Sequence, residues 1–464
     1  MKKNTMYRVD KRILYIILMA ELTICYSLDL VFQKNLFLLA ILGDILIFLG
    51  SYIFLHDIAI VILTLISSYI VNFLVYNLGA PSILIYISDV FISMMLIKLI
   101  IKIFKSTLKT NLMYVLIFIF LTCSICGYIL SSESVTLYIR NLYFDYLRYF
   151  ILFLFMINTE YSENEVIKYA RMLFNILLIQ VPIVIFQYFW SLKHWIPKSA
   201  VDIRQDYLCG ILGERSTTEL GLYIIIALSM MFVLYTKNKL SFKYISSMVS
   251  ILIAAAVISE VKFVLFFLPC LFFFILLMNF NRKSVTIFFI TSLMIVVSFN
   301  KLVKVYPEFQ GFLSFKSVEK YSSDSYASSG IGRTDSFIVA NRFLNESNEN
   351  LLLGYGIGQA DSISSLRFSA FNISQYMIET GYLGISCLYG IFIYVFYISL
   401  KLIKNKKNDF FTLVGYYGLF VVIMIIISTF NNRSMTKINF AVTAWISIGV
   451  VYKYYCMYQN RLNI

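Results

Sequence analysis

The chain has 464 residues, 60% of them hydrophobic and 14% charged, with a mean hydropathy of +0.81. A soluble domain is about 45–50% apolar and about 25% charged, so this composition excludes a soluble globular protein and specifies an integral membrane protein. The formal net charge of +14 reads mainly as membrane topology, and nucleic acid is not expected as a partner.

Apolar runs long enough to cross a hydrocarbon core of about 30 Å recur from end to end, and uninterrupted runs specify helices rather than alternating barrel strands. In chain order they centre near Ile17, Leu46, Leu65, Met94, Phe118, Leu152, Pro182, Leu228, Ile253, Leu268, Ile290, Leu388, Val421 and Ile446. By the length rule this is about 14 spans (range 11–14). The expected fold is therefore all-α and polytopic, a single transmembrane domain over residues 1–464. Glu21 and Asp29 interrupt the first span, which is expected to stay as a helix rather than to be cleaved as a leader.

Alternate connections hold "MKKNTMYRVDKR", "KIFKSTLK", "TKNKLSFK", "NRKS" and "KLIKNKKN". Short lysine-rich loops mark the cytoplasmic side, which places both termini inside. The opposite side receives two larger segments, a first outer loop over 191–218 and a large extracytoplasmic loop over 300–371. Lys193, Lys198, Arg204, Arg215, Lys301, Lys304, Lys316, Lys320, Arg333, Arg342 and Arg367 fall in them, where topology does not require positive charge. An anionic ligand at the outer surface would use such cations.

Within the large loop, "KSVEKYSSDSYASSGIGR" has the composition of a mobile segment, and "RTDSFIVANRFLNE" has the periodicity of a short helix near the membrane. "LLLGYGIGQ" then places Gly354, Gly356 and Gly358 where tight turns or close backbone approach are possible. Its spacing is not a dinucleotide fingerprint.

The seven cysteines define no disulfide framework, and with only His56 and His194 the chain offers no His-based metal site. Neither an Asp-x-Asp pair in the outer loops nor a phosphate-binding loop of the Walker type is present. No metal and no cofactor is expected. In "YIRNLYFDYLRYF", Asp145 and Arg148 stand at i and i+3, a spacing that predicts a mutual ion pair on one helix face.

Phosphate binding is the role expected of Arg204, Arg215, Lys262 and Arg333, because cations match phosphate oxygens and act strongly at a low-dielectric boundary. Solvated loop charges or contacts to lipid headgroups would use the same residues. In "FNISQYMIETGYLGI", Asn372, Tyr376 and Glu379 follow at i, i+4 and i+7, one stripe that could line a cavity. Glu379 enters an apolar span beside Gly381 and Gly384, and could accept a proton or hydrogen-bond a neighbouring helix.

These motifs resemble the O-antigen and capsular polysaccharide polymerase family, which shares a superfamily with the O-antigen ligases. The resemblance rests on "GIGRTDSFIVANRFL", "LLLGYGIGQ" and "FNISQYMIETGYLGI" in one outer loop entering a span, with "GILGERSTTELGLY" and "EVKF" before it, and covers roughly Arg140 to Ile385. It implies a GT-C-like, metal-independent glycosyltransferase that extends undecaprenyl-pyrophosphate-linked glycans at the outer leaflet of the bacterial cytoplasmic membrane. It also implies contacts with membrane lipids and with export and chain-length proteins. Ligase-like members carry a His before the Asn of an "HN" pair, where this chain has Phe371, so the polymerase branch fits better. The resemblance then assigns Arg204, Arg215, Lys262 and Arg333 to the pyrophosphate, Glu379 and Arg333 to catalysis, and Asn372 and Tyr376 to the glycan. A lipid-linked oligosaccharide flippase is the alternative of a different class, since many spans and inner charges serve translocation too.

Overall fold

In the computed structural model, residues 57–78, 80–104, 111–130, 134–194, 207–213, 216–259, 261–278, 282–305, 331–332, 335–363, 365–404 and 409–462 are described. The chain divides into two compact units, Met1–Ile60 and Val61–Ile464. The spans expected near Ile17 and Leu46 and the stretch expected to be mobile around 316–330 lie outside the described residues.

The described residues contain helices and no strand. In order they are α1 (Asp57–Leu78), α2 (Ile87–Phe104), α3 (Leu112–Leu130), α4 (Val135–Leu142), α5 (Arg148–Asn158), α6 (Glu163–His194), α7 (Thr217–Thr236), α8 (Phe242–Ile258), α9 (Lys262–Met278) and α10 (Arg282–Val305). After them come α11 (Asp335–Leu344), α12 (Asn348–Leu353), α13 (Asn372–Lys404), α14 (Asp409–Asn431) and α15 (Ile438–Leu462), with short 3₁₀ turns between. Eight of the described helices are long and apolar enough to cross a membrane. The protein is a multi-pass α-helical membrane protein.

The expected span near Leu152 is built from two helices. A π turn over Tyr143–Leu147 joins α4 to α5 within one helical run. Helices α8 and α9 have 17 residues each, about 25 Å at 1.5 Å per residue, and α9 carries Pro269 in its interior.

Side-chain chemistry explains which helices are central. Most of α15 is buried, whereas α3 and α6 turn Phe118, Ile129, Phe186 and Phe189 outward, as helices facing lipid tails should. On α14, a Cβ at Gly415 would stand 2.8 Å from the Ser399 carbonyl oxygen, and one at Gly418 would stand 2.5 Å from Ser399 Oγ and 2.7 Å from Val451. These two glycines let α14 lie against α13 and α15 at backbone distance. Trp445 of α15 meets Phe150 and Phe153 of α5 and Phe392 of α13 at centroid distances of 5.3, 5.9 and 5.8 Å.

Several polar groups inside the bundle are paired across helices, since hydrocarbon offers no substitute for water. Thr443 Oγ1 of α15 meets Tyr69 and Tyr223 hydroxyls at 3.1 and 3.0 Å, and Ser447 Oγ meets Tyr417 OH at 2.6 Å. The lysines close one end of the bundle: Lys102 Nζ donates to the Asn158 carbonyl at 2.9 Å, Lys453 Nζ to the Ile157 carbonyl at 3.2 Å, and Lys237 pairs with Asp409 at 3.1 Å. Cations at helix C-termini are favourably placed against the terminal carbonyls. At the other end the starts of α2, α7, α13 and α15 meet the end of α14 and the π turn.

Candidate active site

At that second end the polypeptide breaks a helix on purpose. Helix α13 begins with Ser374 Oγ donating to the carbonyls of Phe368 and Phe371 at 2.6 and 3.1 Å. Two residues after Glu379 its course is interrupted at Gly381, with φ 59° and ψ −168°. That backbone region is accessible essentially to glycine. The break frees the Ile378 carbonyl, which accepts a 2.7 Å bond from Tyr355 N–H. A Cβ on Gly381 would lie 2.5 Å from Gly354 N, and one on Gly354 (φ 74°) 2.6 Å from Gly381 N, so the two backbones touch only because both residues are glycine.

The glycine loop thus packs directly on the break, and its next turn reaches the acid. Gly358 N–H donates to Glu379 Oε1 at 3.1 Å, while Tyr146 OH donates to Glu379 Oε2 at 2.6 Å. Gln375 Nε2, one helical turn before, lies 3.3 and 3.5 Å from the two oxygens. The Glu379 side chain is buried, so these three donors are its polar surroundings in place of water. Tyr355 anchors the loop from outside the span, donating to the Phe343 carbonyl and to Glu346 at 3.2 and 3.4 Å; burial raises its hydroxyl above the ordinary tyrosine range.

Gln375 also connects the acid to charge. Its Nε2 is 3.4 Å from Asp145 Oδ2, and Arg433 Nη2 approaches that same oxygen at 3.8 Å. The expected Asp145 to Arg148 ion pair does not form. Arg148 instead pairs with Asp89 of α2 at 3.7 Å, donates to Tyr149 OH at 2.8 Å, and lies over the Phe144 and Tyr149 rings. The physical reason is the π turn at Asp145, whose wider winding takes i and i+3 off a shared face. A third cation, Lys437, sits 3.0 Å from Glu219 at the start of α7.

Of the residues singled out in the sequence, Tyr376 and Glu379 come together on Tyr146, the two tyrosine rings having centroids 5.7 Å apart. Asn372 is turned instead to the connection between α14 and α15, its Oδ1 accepting from Met435 N–H at 2.9 Å. Asn372 and Tyr376 are both buried. Arg204, Arg215 and Arg333 lie outside the described residues; Lys262 opens α9, and its side chain is also outside them. The expected short helix is α11, docked on α13 through Tyr382 OH donating to Asn341 at 2.6 Å.

Residues 209–212, in the segment expected to be the first outer loop, are pinned by hydrogen bonds. Gly210 exchanges hydrogen bonds with the Gln187 amide at 2.8 and 3.0 Å, Ile211 N–H donates to Gln180 at 2.6 Å, and Asn439 Nδ2 donates to the Leu212 carbonyl at 2.8 Å.

Sequence reasoning missed Tyr146, Gln375, Arg433, Lys437 and Glu219. A usable signal exists for two of them: "NNRSMTK" is a short connection that carries Arg433 and Lys437 on the side opposite the lysine-rich loops. Topology alone would leave that side without cations. Among the described residues no three His, Cys, Asp or Glu side chains are grouped to hold a metal ion. The arrangement offers a held carboxylate, a hydrogen-bonded phenol and a partly exposed guanidinium at one end of a membrane bundle. No protein-family model matches the chain, and no curated protein matches it.

Proposed function

We propose that the protein polymerises undecaprenyl-pyrophosphate-linked oligosaccharide repeat units into a surface polysaccharide, O-antigen or capsule, by glycosyl transfer without a metal ion or other cofactor. The reading places the chain in the bacterial cytoplasmic membrane with the Glu379 end facing outside, as the lysines at the other end favour. The observation that carries it is the buried Glu379 carboxylate, gripped by Tyr146 and Gly358 N–H beside the Asp145 and Arg433 pair.

A donor that reacts outside the cell must carry its own activation, as a sugar pyrophosphate does. The acceptor hydroxyl forms a bond to the anomeric carbon, the bond from that carbon to the pyrophosphate oxygen breaks, and undecaprenyl pyrophosphate leaves with the electron pair. The hydroxyl proton passes to Glu379. Arg204, Arg215, Lys262 and Arg333 bind the pyrophosphate and stabilise its growing charge, Arg333 at the reacting bond. Asn372 and Tyr376 keep the glycan role that the resemblance gives them, and export and chain-length proteins are the partners this activity calls for.

Deleting the gene tests the proposal. Single repeat units should accumulate on lipid in the outer leaflet and disappear on complementation. Accumulation confined to the inner leaflet would show a flippase instead, and long polymer left on its lipid carrier would show a ligase.

A further inference from the structure

Three cations stand around the Glu379 cluster, and they differ in how far their charge is already used. Arg148 is buried, with Asp89, Tyr149 OH and two aromatic faces around it. Lys437 closes on Glu219 at 3.0 Å. Arg433 is different. Its Nε donates to Thr436 Oγ1 at 3.0 Å, which fixes the guanidinium plane, but the one carboxylate it pairs with among the described residues lies 3.8 Å away, beyond hydrogen-bond reach. Nη1 has no partner among the described residues, and the side chain is 39% exposed. Beside it, Asn372 holds the same turn through Met435 N–H while its own Nδ2, fully buried, has no acceptor among the described residues.

A guanidinium held by one edge with the other open is matched by a tetrahedral oxyanion, whose oxygens accept two parallel N–H bonds. We propose that the connection between α14 and α15 is a phosphate-binding subsite in which Arg433 is the contact residue and Asp145 the internal carboxylate that the ligand displaces. The chemistry is that of a phosphate or pyrophosphate ester at the membrane surface. Its assignment to the lipid-linked glycan rests on the proposed function, but the subsite itself does not.

Glu379 has a place in this device. Gln375 bridges it to Asp145, so a ligand that draws Arg433 away leaves Asp145 with Gln375 alone and reorients the amide that also supports Glu379. Arg433 is accordingly a binding residue, and Asp145 and Gln375 are positioning residues.

The test uses the full chain in phosphatidylcholine nanodiscs with inorganic pyrophosphate as the probe, binding being read by calorimetry. Wild type should bind, and Arg433→Ala should bind about tenfold or more weakly, as loss of a charge-assisted contact implies. Lys239→Ala, which removes an exposed cation at the opposite, lysine-rich end of the bundle, should bind as wild type. Asp145→Asn should bind more tightly than wild type because the competing carboxylate is gone; a purely structural Arg433 would make it weaker. Absent wild-type binding, unchanged binding by a monodisperse Arg433→Ala protein, or weakened binding by Asp145→Asn would overturn the subsite. Replacing part of the lipid with phosphatidylglycerol separates the sources. Full competition keeps the subsite and assigns its phosphate to bilayer headgroups, and no competition assigns it to a soluble or glycan-linked pyrophosphate. The outcome is independent of polymer synthesis: normal pyrophosphate binding in a strain that never accumulates single repeat units would sink the functional reading alone, and the reverse would sink only the subsite.

Discussion

Tyr146 and Glu379, 233 positions apart in the chain, are joined by a 2.6 Å hydrogen bond from the phenol to the carboxylate inside the bundle. The bond ties the π turn to the start of α13, and Phe120 of α3 packs on the same tyrosine at a centroid distance of 5.1 Å. Removing the hydroxyl leaves a buried carboxylate oxygen short of its best donor, at about 1–3 kcal/mol. Tyr146→Phe should therefore lower the thermal midpoint of the detergent-purified protein, and Glu379→Gln combined with it should restore much of the loss. A midpoint unchanged in Tyr146→Phe would show that the bond contributes nothing to the fold.

The contact between Gly354 and Gly381 makes a sharper demand. Alanine at either position meets backbone atoms at 2.5–2.6 Å and a positive φ, so neither neighbour can yield as a flexible side chain would. Each substitution should destabilise by about 1–3 kcal/mol from conformation alone, with the steric term added. Limited proteolysis should then cut within the loop at 353–359 of Gly381→Ala before it cuts wild type. Equal cleavage rates would mean that the loop does not depend on the break.

How much of this was legible in the sequence depends on the residue. The membrane helices were, because an uninterrupted apolar run has few other uses in a chain of this composition, and the centres at Met94, Phe118, Leu228 and Val421 fall inside α2, α3, α7 and α14. Glu379 was legible as a charge that needed a reason. Gly381 stands inside an apolar span in the sequence and breaks its helix in the structure. That difference is set by Tyr355 N–H, which takes the freed carbonyl and comes from a loop whose position no periodicity encodes. The partner of Asp145 was misassigned for a similar reason: α-helical spacing was assumed where a π turn changes the register. Arg433 was overlooked because its connection is short, and its significance comes from contacts with distant helices.

The pair of Lys437 and Glu219 provides an independent check on the same end of the bundle. Glu219 is fully buried, and its Oε1 has no hydrogen-bond partner among the described residues, so Lys437 compensates a group that water cannot reach. Lys437→Met should cost about 3 kcal/mol, the low end for breaking a buried pair, because the lysine is itself partly screened by solvent. Replacing both, as Lys437→Met with Glu219→Gln, should recover most of that in a denaturation midpoint. A double variant as unstable as the single one would show that the pair is not what holds α7 to α15 there.

The central claim is that Glu379 takes a proton from the acceptor sugar during glycosyl transfer. It is tested most directly by incubating the purified protein in nanodiscs with undecaprenyl-pyrophosphate-linked repeat units and following the polymer ladder on gels. Wild type should build the ladder and release undecaprenyl pyrophosphate, and Glu379→Gln, checked for unchanged elution and pyrophosphate binding, should slow ladder growth on the order of 10²–10⁴-fold. A Glu379→Gln protein that builds the ladder at the wild-type rate would contradict the account.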